Sequence, residues 1–221
     1  MEITSARIAV LAENLYQELE LWYPVLRLRE AGAKVSIVGP KANQVYGSKL
    51  GYPVTPDVSI DDVEPADFDC VVIPGGFSPE SLRWNAGMLN LVRGVDERGR
   101  VVAAICHAGW VLASAGLAKG RRLTCVPMIR DDVVNAGAEY TDEPVVRDGN
   151  IITSRVPNDV PDFCREIIKA ISELPERSED EQPKREYAMG SSANYSHPVK
   201  VKTGAIGSGS ANYVMFAVAG D

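Results

Sequence analysis

Apolar runs and amphipathic stretches alternate along the first 174 residues of the chain. Four continuous apolar runs predict strands that are buried on both faces of a sheet. Between them, apolar residues recur at helical spacing, and the stretch at Ser78 opens with Ser-Pro-Glu, a favourable helix start. The predicted strands are ARIAVLA, AKVSIVG, FDCVVIPGG and RVVAAIC, and the helices among them are ELELWYPVLRLREAG and SPESLRWNAGMLNLVRGVDERG.

The remainder of this region continues the alternation and adds a hairpin. We predict the helices HAGWVLASAGL, MIRDDVVNAGA and PDFCREIIKAISEL, the strand RRLTCV, and the hairpin EPVVRDGNIITSR. Asp148-Gly149 is a dipeptide typical of a tight hairpin turn. Strands that alternate with helices in this way predict an α/β fold in which helices cover both faces of a mostly parallel sheet. We assign residues 1–174 to this one domain.

The composition changes after residue 174. Residues 175–186 are charged and almost without apolar side chains, which predicts a linker. Residues 187–221 form a C-terminal extension that contains Ser-Ala-Asn-Tyr twice, and its segments HPVKVKTGAI and NYVMFAVAG predict two strands joined by a Gly/Ser turn. An isolated hairpin is marginally stable. We therefore expect this β-hairpin-like extension to pair with a sheet edge or a neighbouring subunit and to serve assembly.

The charge balance excludes several classes of partner. The 221-residue chain is 45% hydrophobic and has a formal net charge of -7 and a pI of about 5.0. This acidity argues against binding to nucleic acid or to an anionic membrane. The N-terminal stretch MEITSARIAVLAEN has the features of neither a signal peptide nor a membrane span. We expect a cytoplasmic protein.

Cysteine and histidine usage bears on redox state and on cofactors. The four cysteines lack CxxC spacing and three of them lie in apolar segments, which predicts reduced thiols. The two histidines, His107 and His197, are too few for a typical zinc site. We expect neither a metal nor an organic cofactor.

The chemistry is concentrated where the strand RVVAAIC meets the helix HAGWVLASAGL. Cys106 ends the strand and His107 follows it. A residue at a tight strand-to-helix turn projects out of the sheet, as in the nucleophile elbow of hydrolases. Nearby helix N–H groups would favour the thiolate, and His107 could act as hydrogen-bond donor or base. A buried core cysteine is the common alternative for a Cys-His pair, but the elbow pattern favours a functional thiol.

A second segment also ends a buried strand. The backbone N–H groups of Gly75 and Gly76 could form an oxyanion hole, although an ordinary loop bend would use two glycines as well. Glu80 follows in the first turn of the next helix. Its carboxylate could orient an imidazole or remain solvated, as glutamate commonly does there.

These motifs resemble those of the ThiJ/PfpI superfamily, specifically its intracellular protease I branch. The resemblance covers about residues 6 to 173 and is most specific in AAICHAGWVLASAGL and DDVVNAGAEYTDEPVVRDGNIITSR. It implies a flavodoxin-like three-layer α/β/α sandwich. It also implies that Cys106 is the nucleophile, with His107 as its neighbour and Glu80 as the acidic partner from an adjacent subunit. The active site would then need a homo-oligomer: a dimer, a trimer of dimers or a hexamer.

Many members of this superfamily carry a glutamate near the end of the first strand that hydrogen-bonds the cysteine. The corresponding position here is Gln17, or Glu18 if the register shifts by one residue. A glutamine cannot accept a proton at neutral pH, so this choice decides whether glyoxalase chemistry with a carboxylate base is available.

The resemblance leaves three functions open. The first is a cysteine-dependent enzyme that acts on small reactive carbonyls, as a glyoxalase III or a deglycase. The second is an intracellular cysteine peptidase, although an elbow cysteine under a glycine loop makes a small pocket for a peptide substrate. The third is a non-catalytic redox or stress sensor in which Cys106 is reversibly oxidised.

Overall fold

A seven-stranded sheet forms the centre of the protein. The computed structural model describes residues 1–177. The strands follow the order β10-β11-β7-β6-β1-β2-β5, and all neighbouring pairs are parallel except the β10–β11 hairpin. They are β1 (Arg7–Leu11), β2 (Lys34–Gly39), β5 (Val58–Ser59), β6 (Cys70–Ile73), β7 (Val101–Ile105), β10 (Val145–Asp148) and β11 (Ile151–Ser154), and the short strands β3 (Tyr46–Gly47), β4 (Pro53–Val54), β8 (Arg122–Leu123) and β9 (Glu139–Tyr140) lie outside this sheet.

Helices cover both faces of the sheet. Within residues 1–177 the α-helices are α1 (Glu18–Glu30), α2 (Ser78–Leu82), α3 (Ala86–Glu97), α4 (Gly109–Ala115), α5 (Arg130–Asn135) and α6 (Val160–Ser172). Helix α1 packs against α6 in one layer, whereas α3 packs against α4 in the other, with α2 and α5 beside α4. The predicted three-layer, flavodoxin-like α/β/α sandwich is confirmed. Its central strands β1, β6 and β7 are fully buried along their length, as their continuous apolar runs indicate.

Two predicted elements differ from the structure. The helix predicted from Ser78 onward is divided into α2 and α3, because the side chain of Asn85 accepts a hydrogen bond from Met88 N and caps a new helix. The predicted strand RRLTCV does not join the main sheet. Its residues Arg122 and Leu123 pair with β9, and the N–H of Thr124 donates to the side chain of Thr153.

A buried ion cluster lies at the amino-terminal edge of the sheet. Asp69, fully buried before β6, accepts a hydrogen bond from Arg7 N at 2.9 Å and one from Arg177 Nε at 2.8 Å. Arg100 Nη1 lies 3.6 Å from the same carboxylate, and it donates to the carbonyl of Pro175. The first residues after 174 are thus held on the domain. The predicted linker boundary remains a prediction, and the C-terminal extension lies outside the described residues.

We expect Arg177→Ala to lower the free energy of unfolding by about 1–2 kcal/mol, because it removes a charge-assisted hydrogen bond to a buried carboxylate. Urea denaturation measures the change. Arg130→Ala is the control, since Arg130 pairs with Asp131 in an exposed position where such pairs contribute little. Equal losses in the two variants would contradict the proposed clamp.

Two further properties apply to the described residues as a whole. No helix in the part of the chain described here is long and apolar enough to cross a membrane. All four cysteines, Cys70, Cys106, Cys125 and Cys164, lie within that part and are buried free thiols.

Candidate active site

Cys106 occupies a strained turn between β7 and α4. The strand ends at Ile105, and residues 106–108 form one turn of 3-10 helix before α4 begins at Gly109. The backbone φ of Cys106 is 62°, in the left-handed region that a side chain other than glycine rarely adopts. The side chain is directed to the carboxyl-terminal edge of the sheet and is 8% exposed. The elbow predicted for Cys106 is therefore present in the backbone.

The glycine loop after β6 is joined to the loop before α1. Gln17 N donates to the carbonyl of Gly75, and Phe77 N donates to the carbonyl of Leu15. Gly76 has a φ of 78°, and a Cβ there would lie 2.5 Å from the carbonyl oxygen of Leu15. Only glycine fits this close approach, which brings the start of α1 next to Cys106.

Glu20 supplies the carboxyl group beside the cysteine. The N–H of Gly75 donates to its Oε2 at 2.8 Å, and the residue is completely buried. A Cβ on Gly75 would lie 2.5 Å from this Oε2 and 2.6 Å from Cys106 Cβ, so both side chains crowd the same glycine. The other oxygen, Oε1, has no aligned hydrogen-bond partner among the described residues, but the Cys106 thiol is close enough to interact with the carboxylate.

The expectation that Gln17 or Glu18 faces the cysteine is corrected by this geometry. Gln17 is the N-cap of α1, and its side chain accepts a hydrogen bond from Glu20 N at 2.9 Å. Glu18 accepts hydrogen bonds from Ser48 Oγ and Leu50 N and so holds the loop that carries Lys49. Helix α1 begins at Glu18, and its first turn rotates Glu20 inward while Glu18 points to this loop.

A sequence signal for Glu20 exists in the phase of α1. The buried residues of the helix are Glu20, Leu21, Pro24, Val25 and Leu28. Glu20 is the charged member of this otherwise apolar face. An ionisable residue on the core side of a helix needs a polar neighbour to offset its burial. Here the neighbours are the glycine loop and the Cys106 thiol.

The Glu20–Cys106 contact changes the acidity of both groups. Burial raises the pKa of Glu20 to about 7, although the Gly75 N–H, the Cys106 hydrogen bond and the Lys49 charge act in the opposite direction. Burial, followed by the Glu20 charge, raises the pKa of Cys106 to about 12, while the backbone N–H groups of Gly76 and His107 lower it. Contrary to the sequence-based expectation, the sulfur keeps its proton while Glu20 is ionised.

The imidazole of His107 lies beside the thiol. Its Nδ1 is 3.3 Å from Cys106 Sγ. Burial, together with the Lys49 charge, lowers the pKa of His107, so the imidazole is neutral at pH 7. A neutral ring can accept a proton from a reacting group next to the sulfur.

The remaining predicted site residues have different positions. The N–H of Gly75 already donates to Glu20, so the expected oxyanion hole of Gly75 and Gly76 is reduced to the N–H of Gly76, which interacts with the sulfur. Glu80 is exposed on α2, and no hydrogen bond or ion pair within residues 1–177 joins it to His107. A contact of Glu80 with a neighbouring subunit remains a prediction. In the same residues, no group of three His, Cys, Asp or Glu side chains could hold a metal ion.

Sequence comparisons match most of the domain. The model of the DJ-1/PfpI family matches residues 6–170. A protein named deglycase PfpI from Pyrococcus furiosus is 41% identical over 165 residues, which cover 75% of this chain and 99% of that protein. An uncharacterized protein of Archaeoglobus fulgidus is 48% identical over 165 residues, covering 75% of this chain and 98% of its own.

Two solved structures combine a similar fold with a sequence identity above 30%. The crystal structure of Drosophila melanogaster DJ-1beta matches with a TM-score of 0.71 and 32% identity over 76% of this chain and 95% of its own. A two-domain protein from Anabaena variabilis, with DJ-1/ThiJ/PfpI-like and ferritin-like domains, matches with a TM-score of 0.75 and 34% identity. That match covers 82% of this chain and 52% of the other, so this chain spans about half of the two-domain protein.

Proposed function

The chain belongs to the DJ-1/PfpI family, and on that premise we propose that it is a cysteine-dependent enzyme of the deglycase type. Its substrates would be small reactive carbonyl compounds, and its products hydroxy acids. The observation that carries this proposal is the packing of the Cys106 side chain and the buried Glu20 carboxyl against the same glycine, Gly75. The deglycase names of relatives from Pyrococcus furiosus and Pyrococcus horikoshii support it, each at 41% identity over 99% of the relative.

Above about pH 7 the two acids act as one unit that holds a single proton. The proton can reside on the sulfur with Glu20 charged, or on Glu20 with the sulfur charged. These states have the same net charge, so their exchange needs no proton from solvent. The N–H groups of Gly76 and His107 favour the second state, in which the thiolate is the nucleophile.

An α-oxoaldehyde such as methylglyoxal illustrates the reaction. The thiolate attacks the aldehyde carbon, a C–S bond forms, and the carbonyl electron pair moves to oxygen, which takes the proton from Glu20. A base, neutral His107 or ionised Glu20, then moves the hydrogen of this carbon to the neighbouring ketone through an enediol. The first carbon is oxidised to a thioester and the second is reduced to an alcohol, so no external oxidant is needed. Water finally cleaves the C–S bond, which releases the hydroxy acid and restores the thiol.

A carbonyl adduct of an amine enters the same sequence one step earlier. The C–N bond of the hemiaminal breaks while the hydroxyl proton passes to nitrogen, which frees the amine and regenerates the aldehyde. The thiolate then attacks that aldehyde as before. Repair of the amine and conversion of the carbonyl compound would thus share the same cysteine.

The test is the formation of lactate from methylglyoxal by the full-length protein. We expect turnover in the wild type, its loss in Cys106→Ser, and its retention in the control Cys164→Ala, which changes a buried thiol on α6. Parallel incubations with a peptide substrate, and with peroxide followed by mass spectrometry, separate the other functions. Peptide cleavage without lactate would indicate a peptidase, and oxidation of Cys106 without any turnover would indicate a redox sensor. Either result would overturn the proposal.

The proposal also includes a homo-oligomer in which Glu80 reaches His107 of a neighbouring subunit. Mixed refolding of two inactive variants tests this arrangement, because a shared site can be rebuilt from two defective chains. We expect partial recovery of lactate formation when Glu80→Gln and Cys106→Ser copies are combined. If Glu80→Gln alone is fully active, the shared site does not exist.

The charge of Lys49 should shift the acid limb of the pH profile, the range in which activity rises with pH. A fully protonated pair has no thiolate, so activity should rise as the pair loses its first proton near pH 7. The positive charge of Lys49 lowers the pKa of Glu20, so its removal should raise that pKa. We expect Lys49→Gln to move the midpoint upward by about 0.3 pH unit, a small shift because Lys49 is exposed and screened. Lys119→Gln serves as the charge-matched control, and a downward shift for Lys49→Gln would contradict this role.

A further inference from the structure

Three aromatic rings lie in a row beside the Cys106 site. The ring centroid of His107 is 5.9 Å from that of Phe77 and 5.2 Å from that of Trp110. Each end of the row carries a cation: Lys49 Nζ is 5.1 Å from the Phe77 centroid, and the Arg83 guanidinium carbon is 5.9 Å from the Trp110 centroid. A ligand that lies along these rings would therefore extend from the thiol to Arg83.

An open groove of about 450 Å³ begins at the Trp110 end of this row. Its lining combines two alanines and Trp110 with the polar side chains of Arg83, Ser114, Asp132 and Asn135. Sites for small molecules have volumes in this range. The groove has no part in the proposed chemistry at Cys106. That chemistry therefore does not explain why charged side chains line the groove.

The charged groups of the groove are held by their own neighbours. Arg83 Nε donates to Ser114 Oγ at 2.9 Å, which fixes the guanidinium beside the indole. Trp110 Nε1 donates to Asp132 Oδ2 at 2.7 Å, which fixes the carboxylate at the other edge of the ring. Arg83 and Asp132 thus bind different neighbours, Ser114 and Trp110. A cation and an anion therefore lie beside one indole, and both can form further hydrogen bonds to a ligand.

This arrangement matches the head group of a free α-amino acid. A guanidinium binds a carboxylate through parallel hydrogen bonds, and a carboxylate binds an ammonium group. The amide of Asn135, also in the lining of the groove, adds a donor and an acceptor. A purely anionic ligand would be repelled by Asp132, and a purely cationic one by Arg83, so the pair favours a zwitterion.

We propose that this groove binds the α-amino-acid head group of the substrate, whose carbonyl-modified side chain lies along the ring row with its reactive end at Cys106. This inference rests on the proposed function and specifies its substrates as adducts of free amino acids with long amine-bearing side chains. In an internal residue of a protein chain, the α-amine and the α-carboxylate are converted into uncharged peptide bonds. The groove would therefore select free amino acids against internal residues of proteins.

Binding of unmodified lysine, the expected product, tests the groove without turnover. The indole N–H resonance of Trp110, assigned with Trp110→Phe, reports on titration of the full-length protein with lysine and with Nα-acetyl-lysine amide. We expect free lysine to bind about ten-fold more tightly than the blocked form. Arg83→Gln and Asp132→Asn should each remove this preference. Asp131→Asn, which changes the neighbouring carboxylate on the same helix, should keep it.

A kinetic experiment separates this inference from the proposed function. The ratio of kcat/KM for the methylglyoxal adduct of lysine to that of Nα-acetyl-lysine amide should be about ten in the wild type and near one in Arg83→Gln. If the protein forms lactate from methylglyoxal but binds free and blocked lysine equally, the proposed role of the groove is wrong and the proposed function stands. Preferential binding of free lysine without lactate formation would support the groove and overturn the function.

Discussion

Glu20→Gln is expected to abolish turnover while making Cys106 more reactive toward alkylating reagents. Glutamine can still accept the hydrogen bond from Gly75 N, but it cannot carry the proton that the reaction moves between sulfur and substrate. Loss of a general acid–base group costs about 10²–10⁴-fold in rate. The Glu20 charge and its hydrogen bond raise the pKa of Cys106, so their removal lowers that pKa and increases the thiolate fraction.

Two measurements on the same samples show these opposite changes. Lactate formation from methylglyoxal should fall, and the rate of iodoacetamide labelling of Cys106 at pH 8 should rise. Glu18→Gln is the matched control, since Glu18 lies two residues away and contacts Ser48 and Leu50 instead of the thiol. A Glu20→Gln variant that keeps its turnover would remove the carboxyl from the mechanism.

Stability should respond to pH in a way that also depends on Glu20. Its folded pKa of about 7 exceeds the value of an unfolded glutamate, so the native protein loses stability as pH rises through about 7. The glutamine variant lacks this loss. Urea denaturation at pH 4.5 and at pH 8 should therefore show a smaller decrease for Glu20→Gln than for the wild type.

Gly75→Ala is expected to damage both stability and activity. The new methyl group would lie 2.5 Å from Glu20 Oε2, 2.6 Å from Cys106 Cβ and 2.9 Å from the carbonyl of Ile105, and all three are buried. Overpacking of this kind costs about 1–3 kcal/mol of stability. Displacement of reacting groups by about 1 Å can cost about 10²-fold in rate, so lactate formation should fall by that order.

Gly47→Ala provides the comparison for this substitution. A Cβ at Gly47 meets no atom within 4 Å, and the backbone there has no left-handed strain. Its unfolding free energy and its rate of lactate formation should stay close to those of the wild type. If Gly75→Ala behaved in the same way, the close packing of Glu20 against the thiol would not be needed for the reaction.

The sequence was informative where a local pattern determines the structure. The apolar runs predict β1, β6 and β7, and small residues around Cys106 predict its tight turn, because each depends on neighbours within a few positions. Motif spacing alone does not point to Glu20, because the glutamate that turns inward depends on the phase of α1, which starts at the N-cap Gln17. Residues 121–126 differ from the predicted strand of the main sheet because Thr124 bonds a side chain 29 residues away, which no local pattern reveals.

The clamp between Asp69 and Arg177 has a practical consequence for immobilisation. Asp69 precedes the amino end of β6, whereas Cys106 follows the carboxyl end of the neighbouring parallel strand β7. Residue 177 therefore lies at the edge of the sheet remote from the thiol. Coupling of a bead or electrode to the exposed neighbouring position Glu176 would leave the thiol edge of the domain turned toward the bulk solution, so solid-phase assays need no redesign of the domain.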